Sequence, residues 1–336
     1  MEFEISLPGP EWEESEKPAL TQLVNMGYTY VGPSKLKQES ERTSFKQALL
    51  YPRLKTAIKK LNPWISDENL ELAVDRIGEG NYYTARNVVD ANQKIYAQLT
   101  NLSRSSGLAP LAVEQDLGNG LEEQSVVVID FDNPTNNDFV VTNQFVFKGD
   151  RKDIEPDIVI FVNGIPLVII ECKKPTLPDP LIKAWEMNLG PYQNGGQQIL
   201  FFYNLFIVAI AGVVAKYGMV GANINNYEKW SDAYPLTVSQ VEELAERTPR
   251  EQETLLAGML YPKTLLSILE DYTFFDVLTR DDGSTEKIKR ITRHQQIRAS
   301  VKGLIRIAEG KGGTVWHGPG SGKSYTMMFL SKQIKK

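Results

Sequence analysis

Three charged residues stand at the ends of two apolar runs: Asp157 precedes Ile158 to Val162, while Glu171 and Lys173 follow Leu167 to Ile170. Side chains alternate along a strand, so Glu171 and Lys173 share one face and Cys172 points to the other. Two carboxylates and the main-chain carbonyl of Cys172 make a set of hard oxygen donors suited to Mg²⁺. A lysine beside them can orient a water or offset phosphate charge. The combination points to metal-assisted phosphodiester hydrolysis. The alternative is an ordinary buried hairpin whose charged ends are merely solvated, because short motifs recur by chance.

A second group lies in Gly313-Thr-Val-Trp-His-Gly-Pro-Gly-Ser-Gly-Lys-Ser-Tyr-Thr-Met-Met-Phe329. A short strand entering a Gly-rich turn and then a helical pattern is the context a phosphate-binding loop requires. Main-chain N–H groups around Gly320, Ser321 and Gly322 would close on phosphates at a helix N-terminus. Lys323 would reach the β and γ phosphates of ATP, and Ser324 would ligate Mg²⁺. His317 stands where the strict pattern has its first Gly.

The elements that must position these residues follow from periodicity. Apolar runs without alternation belong to strands covered on both faces, and Asn163-Gly164 between them is a strong hairpin signal. With a regular two-residue turn, paired positions would put Asp157 opposite Ile170 and leave Glu171 on the other face. Shared metal ligation therefore predicts an odd-length or bulged loop, with Pro166 taking part, that brings Asp157 across from Glu171.

Helices are expected over Trp12 to Met26 with Ser15 as N-cap, Gln47 to Leu61, Asp67 to Ile77, Tyr83 to Leu99 and Pro180 to Asn188. Lys55, Lys59 and Lys60 form a solvated helix face. Strands are expected over Ser125 to Phe131, Phe139 to Lys148 and Ile199 to Ala211, and Tyr227 to Trp230 is read as a surface turn. Val238 to Leu278 is helical again, with Leu255, Leu256 and Leu260 as ordinary core. The fold class is α/β, a mixed sheet flanked by helices, followed by a helical connector and the first strand, loop and helix of a RecA-like domain. The corresponding domains are 1–237, 238–285 and 286–336.

The chain has 336 residues, 42% hydrophobic and 24% charged, the make-up of an ordinary globular protein. A single cysteine excludes an internal disulfide and argues for a reducing compartment. No leader and no apolar stretch of membrane-spanning length are evident, so a cytoplasmic protein without a membrane partner is expected. With His294 and His317 the only histidines, a His-based zinc site or catalytic triad has little support. Net charge is −5, yet residues 286–336 carry 12 Lys and Arg against 2 Asp and Glu. The acidic remainder is poorly suited to gripping DNA phosphates alone, so the basic segment or a partner must hold the substrate.

Pro156-Asp157 and Glu171-Cys172-Lys173 resemble the motif positions of the PD-(D/E)xK nuclease core. Together with Ile129-Asp-Phe-Asp-Asn-Pro-Thr-Asn-Asn-Asp-Phe-Val-Val-Thr-Asn-Gln-Phe145 and Phe161-Val-Asn-Gly-Ile-Pro-Leu167, the chain resembles the amino-terminal part of the motor-nuclease (R) subunit of type I restriction enzymes, over most of its length. The resemblance implies catalytic Asp157, Glu171 and Lys173, with Mg²⁺ on Asp157, Glu171 and the Cys172 carbonyl. It also matches Glu16 to a carboxylate near that metal.

Arg293-His-Gln-Gln-Ile-Arg-Ala299 resembles the adenine-recognising Q motif of superfamily 2 helicases, with Gln296 as the contact. Asn188 and Tyr192, separated by Gly190-Pro191, are the nearest fit to the family's helical Gln and Tyr. Further implications are double-stranded DNA as substrate, specificity and methyltransferase subunits as partners, and cleavage after ATP-driven translocation. The stretch after Ser324 is too short for a Walker B strand or a second motor lobe, so this chain alone is not expected to turn over ATP. A repair or other helicase-linked nuclease and a non-catalytic nucleotide-binding or assembly module are the rival readings.

Overall fold

The computed structural model describes residues 2–5, 8–78, 85–100, 110–149, 152–194 and 198–335. In chain order the strands are β1 (Thr29–Tyr30), β2 (Ala112–Asp116), β3 (Leu121–Ser125), β4 (Phe139–Asn143), β5 (Ile158–Val162), β6 (Ile165–Cys172), β7 (Phe206–Ala211), β8 (Val214–Gly218), β9 (Thr273–Thr279) and β10 (Thr285–Ile291). Six of them form one mixed sheet in the order β1-β4-β5-β6-β7-β8. The β1–β4 and β6–β7 pairs are parallel and the other neighbours antiparallel. β2–β3 and β9–β10 are separate hairpins.

Every residue of β4, β5, β6 and β7 is buried. This is why those runs show no polar alternation: helices cover both faces. At about 1.5–3 kcal/mol for each large apolar side chain removed from water, burial of these four strands is a main source of the sheet's stability. The helix Lys17–Asn25 packs on β1 and β4, and the helix Pro180–Ala184 on β7 and β8.

Several expectations shift at their boundaries. The first helix is already wound at Glu11 and passes through a π-helical segment, Trp12–Glu16, so Ser15 lies inside it and is not an N-cap. The second begins at Tyr51 with Pro52 in its first turn, the third is Asp67–Gly78, and the fourth spans Val88–Leu99. The expected start at Tyr83 lies outside the described residues. Ser125 to Phe131 does not continue as a strand beyond Ser125, and Ile199 to Ala211 divides into a helix, Gln198–Phe202, and β7. Short apolar runs do not distinguish a buried helix turn from a buried strand.

Tyr227 and Trp230 are buried rather than surface residues. Lys55 and Lys59 pair with Glu71 and Asp67, as solvated helix positions do. The connector forms helices Val238–Ala245, Glu251–Leu260 and Pro262–Asp271, with Leu255, Leu256 and Leu260 in the core. It packs back on the first helix: the Gln252 amide joins Ser15 O at 3.0 Å and Gly212 N at 2.8 Å. Helical structure ends at Asp271, because the β-branched and aromatic Thr273–Thr279 stretch pairs with β10 and carries the chain across residue 285. Among the described residues no helix is long and apolar enough to cross a membrane.

Candidate active site

The hairpin turn keeps two residues, Asn163 and Gly164, both with positive φ. Asn163 is held by its side chain, which accepts from Asp138 N at 2.7 Å and donates to Val128 O at 2.7 Å. Gly164 passes so close to the neighbouring helix that an added Cβ would meet Leu50 O at 2.5 Å. Val162 then pairs with Ile165 and Phe161 with Pro166, but Ile160 pairs with Val168. Leu167 is the extra residue of a bulge beside the proline, and its carbonyl accepts from Leu205 N at 2.6 Å. Proline lacks the N–H that a regular ladder would use there, which favours the irregularity.

The bulge shifts the register so that Ile158 faces Ile170; carried one residue beyond the start of β5, the same register sets Asp157 across from Glu171. The expected bulge is therefore present, two pairs in from a two-residue turn rather than within an odd-length loop. Asp157 Oδ2 accepts from Cys172 N at 2.7 Å. Lys173 Nζ donates to Glu171 Oε1 at 2.7 Å and to Cys172 O at 2.8 Å. Lys173 O accepts from Ser15 Oγ at 2.7 Å, which ties the first helix to the end of the hairpin. The π-helical segment turns both Ser15 and Glu16 inward, a use such segments often have near functional sites.

Burial dominates the electrostatics. It pushes the Asp157 carboxyl up to about 6, against the pull of the Lys173 ammonium and the Cys172 N–H. Burial and the Asp157 charge push Glu171 well above the usual carboxylate range. Glu16 rises to about 7 through burial and then Asp157, although it accepts from Asn143 Nδ2 at 3.1 Å and Gln144 Nε2 at 3.4 Å. Burial alone would lower Lys173, but Glu171 and Asp157 more than reverse it and hold the ammonium charged.

Glu171 Oε2 is buried with no hydrogen-bond partner in the protein, a costly state for a carboxylate oxygen unless a proton or a cation meets it. With the crowding of carboxyls, this makes the residues a fit for a hard divalent cation. The donor set would be Asp157, Glu171 and the Cys172 carbonyl, completed by waters, as Mg²⁺ prefers. Among the described residues no three His, Cys, Asp or Glu side chains are spaced to hold a metal. Glu16 stands beside Asp157 as an electrostatic neighbour bonded to Asn143 and Gln144.

The helix after the hairpin runs through Gly190-Pro191 without a break. A second π-helical segment, Trp185–Leu189, lets Gly190 N reach Trp185 O, and Pro191 begins the following turn, where no N–H is needed. Asn188 Nδ2 donates to Tyr192 OH at 2.8 Å, and the tyrosine feels both Glu171 and Asp157. Sequence reasoning missed Ser15, Asn143 and Gln144 as supports of the site. Asn143-Gln144, polar residues closing the apolar run of β4, were the available signal; Gln144 also adopts positive φ.

The Gly-rich loop expected to take phosphates is built differently. Gly320 and Gly322 have positive φ, and the helix Lys323–Ile334 starts immediately after them. Lys323 Nζ folds back on His317 O at 3.2 Å and Gly318 O at 3.1 Å, and Ser321 Oγ donates to Gly318 O at 2.7 Å. Ser324 is exposed on the first turn of the helix. The strand expected at Gly313 to His317 is not formed, because none of the described strands offers it a partner. Gln296 lines the cavity beside Gly320 and Gly322 and is largely buried, its Oε1 accepting from Arg293 N at 2.8 Å and its Nε2 donating to Gly322 O at 2.9 Å.

Residues 11–226 match the family described as type I restriction enzyme R protein N terminus, and residues 292–336 match that described as SWI2/SNF2 ATPase. The chain is 27% identical to the putative type I restriction enzyme MjaIXP endonuclease subunit of Methanocaldococcus jannaschii, over 96% of this chain and 31% of that one. It is 28% identical to the type I restriction enzyme HindI endonuclease subunit of Haemophilus influenzae, over 84% of this chain and 26% of that one. It thus spans less than a third of the length of either relative.

Proposed function

As the chain belongs to the family of type I restriction enzyme R protein N termini, we propose that the hairpin end is a Mg²⁺-dependent nuclease site of the PD-(D/E)xK type. In the full subunit, it cuts double-stranded DNA after ATP-driven translocation. The observation that carries this reading is the bulge at Leu167, which pairs Ile158 with Ile170 and so brings the Asp157 carboxylate onto Cys172 N beside Glu171, with Lys173 donating to Glu171. An ordinary hairpin has no need of that register.

Asp157, Glu171 and the Cys172 carbonyl hold the cation. When bound, Mg²⁺ supplies a water of lowered pKa and offsets phosphate charge. The Lys173 ammonium orients the attacking water and adds positive charge beside the scissile phosphate. Glu16 and Tyr192 shape the potential around the carboxylates without serving as ligands. Residues 292–336 open a RecA-like translocase, in which Lys323 takes the phosphates of Mg-ATP and Ser324 its Mg²⁺. The acidic nuclease part leaves DNA holding to the basic segment and to specificity and methyltransferase subunits, in a cytoplasmic complex.

Cleavage of duplex DNA by the full-length subunit, with and without those partners, tests the proposal. Mg²⁺-dependent cutting that needs the partners and is lost in Asp157→Ala is the expected result. Cutting that needs no partner would mark a repair or other helicase-linked nuclease. No cutting under either condition would leave an assembly module.

A further inference from the structure

The helix His294–Ala308 joins the two chemical regions through its first turns. On one side it docks on the nuclease part. Arg293 pairs with Glu228, Arg298 Nη1 reaches Asp232 Oδ2 at 2.6 Å, and Tyr217 OH donates to Thr292 O at 3.2 Å. Arg298 also lies over the Tyr234 ring, and the His294 ring packs edge-on to Trp230.

On its other side the same turn donates to three consecutive carbonyls of the phosphate loop. Arg293 Nη1 reaches Gly320 O at 3.3 Å, Gln295 Nε2 reaches Ser321 O at 3.4 Å, and Gln296 Nε2 reaches Gly322 O at 2.9 Å. A phosphate loop works by aiming its N–H groups inward, and fixing the carbonyls outward is what sets that aim. No strand over 311–318 supports the loop among the described residues, so these tethers are its main restraint.

We propose that the nuclease segment Tyr217–Tyr234 sets phosphate affinity at the loop through this helix, with Glu228 and Asp232 as positioning residues that touch no phosphate. Coupling of this kind is reciprocal, so phosphate at the loop tightens the docking of the helix on the nuclease part by the same factor. The inference rests on the phosphate-loop reading and adds a route by which loop occupancy is felt on the nuclease side. Both ion pairs are partly exposed, so the coupling is modest, about three- to tenfold.

The test uses the purified chain with Mg-ATP and inorganic tripolyphosphate as probes, read by calorimetry and by hydrogen exchange of residues 227–234. The variants are Asp232→Arg, Arg298→Asp, their double exchange, Glu228→Gln and Lys323→Ala. Asp232→Arg and Glu228→Gln weaken binding about three- to tenfold. The double exchange, which rebuilds the pair with reversed charge, recovers it. In the unsubstituted chain both probes slow exchange at 227–234, and Lys323→Ala removes that slowing.

Unchanged exchange at 227–234 under saturating Mg-ATP overturns the inference even if no variant folds well. Wild-type affinity in Asp232→Arg with faster exchange at that segment overturns it too. Absence of any Lys323-dependent binding in the unsubstituted chain overturns the phosphate-loop reading itself, and the inference with it.

Discussion

At the end of the β5–β6 hairpin Glu171 is 1% exposed, whereas Trp316 at the mouth of the phosphate loop is 92% exposed. The first region takes its geometry from strand register: one bulge decides whether two carboxylates meet. The second takes it from side chains of a neighbouring helix that hold the loop by its carbonyls. A site set by register is stiff and holds its charges at strongly shifted pKa values. A site set by tethers is soft and responds to whatever moves the tethering helix. Substitutions should therefore act in an all-or-none way at the hairpin and by degrees at the loop.

The largest effect is expected from Lys173→Met in the full-length subunit. It removes the ammonium from Glu171 Oε1 and Cys172 O while keeping most of the volume, and should lower the DNA cleavage rate by about 10²–10³-fold. A rate within a few fold of wild type would show that the lysine only neutralises buried charge.

Mg²⁺ binding comes next. Asp157 at about 6, Glu16 at about 7 and Glu171 above the usual range keep protons in the metal-free fold near neutrality. Ligation needs the ionised carboxylates, so Mg²⁺ affinity should rise as pH climbs through about 6, where Asp157 gives up its proton. Calorimetry in buffers of different ionisation enthalpy counts that proton. Because the folded pKa values lie above the unfolded ones, stability from these groups is fully present below about pH 4 and is lost as pH rises through 6 to 7. The metal-free chain should thus melt lower at pH 8 than at pH 5.5, and Mg²⁺ should recover the difference.

Gly164→Ala attacks the register rather than the charges. The positive φ and the approach to Leu50 O predict a loss of about 2–4 kcal/mol in urea unfolding. Cys172→Ala is the mildest case, with about 1 kcal/mol of stability lost and cleavage near wild type, because this residue meets the site only through its main-chain N–H and carbonyl. A large loss of cleavage there would mean that packing behind the hairpin, not its charged end, limits the reaction.

The hairpin was legible in the sequence because its signals are local and agree: unbroken apolar runs, Asn163-Gly164, and Pro166 where a regular ladder fails. The loop at Gly320 and Gly322 was legible for the same reason. What escaped depends on contacts distant in sequence. Ser15 looked like a helix cap and instead bonds Lys173 O, a contact across 158 positions. Both ends of the Gln296 amide are bonded inside the protein, to Arg293 N and Gly322 O, contacts the local motif does not announce. Tyr227 and Trp230, placed at the surface by their polar neighbours, are buried, Tyr227 against Gly218 and Trp230 against Tyr217 and His294. Thr273 to Leu278 was read as helix because its partner strand follows only after the turn at Asp281 to Ser284.

The separation of the two chemistries is tested most directly by Glu171→Ala in the full-length subunit with its partners, assayed in parallel for DNA cleavage and ATP hydrolysis. Loss of cleavage with ATP hydrolysis retained is the predicted result. Cleavage continuing at the wild-type rate would contradict the hairpin end as the cutting site.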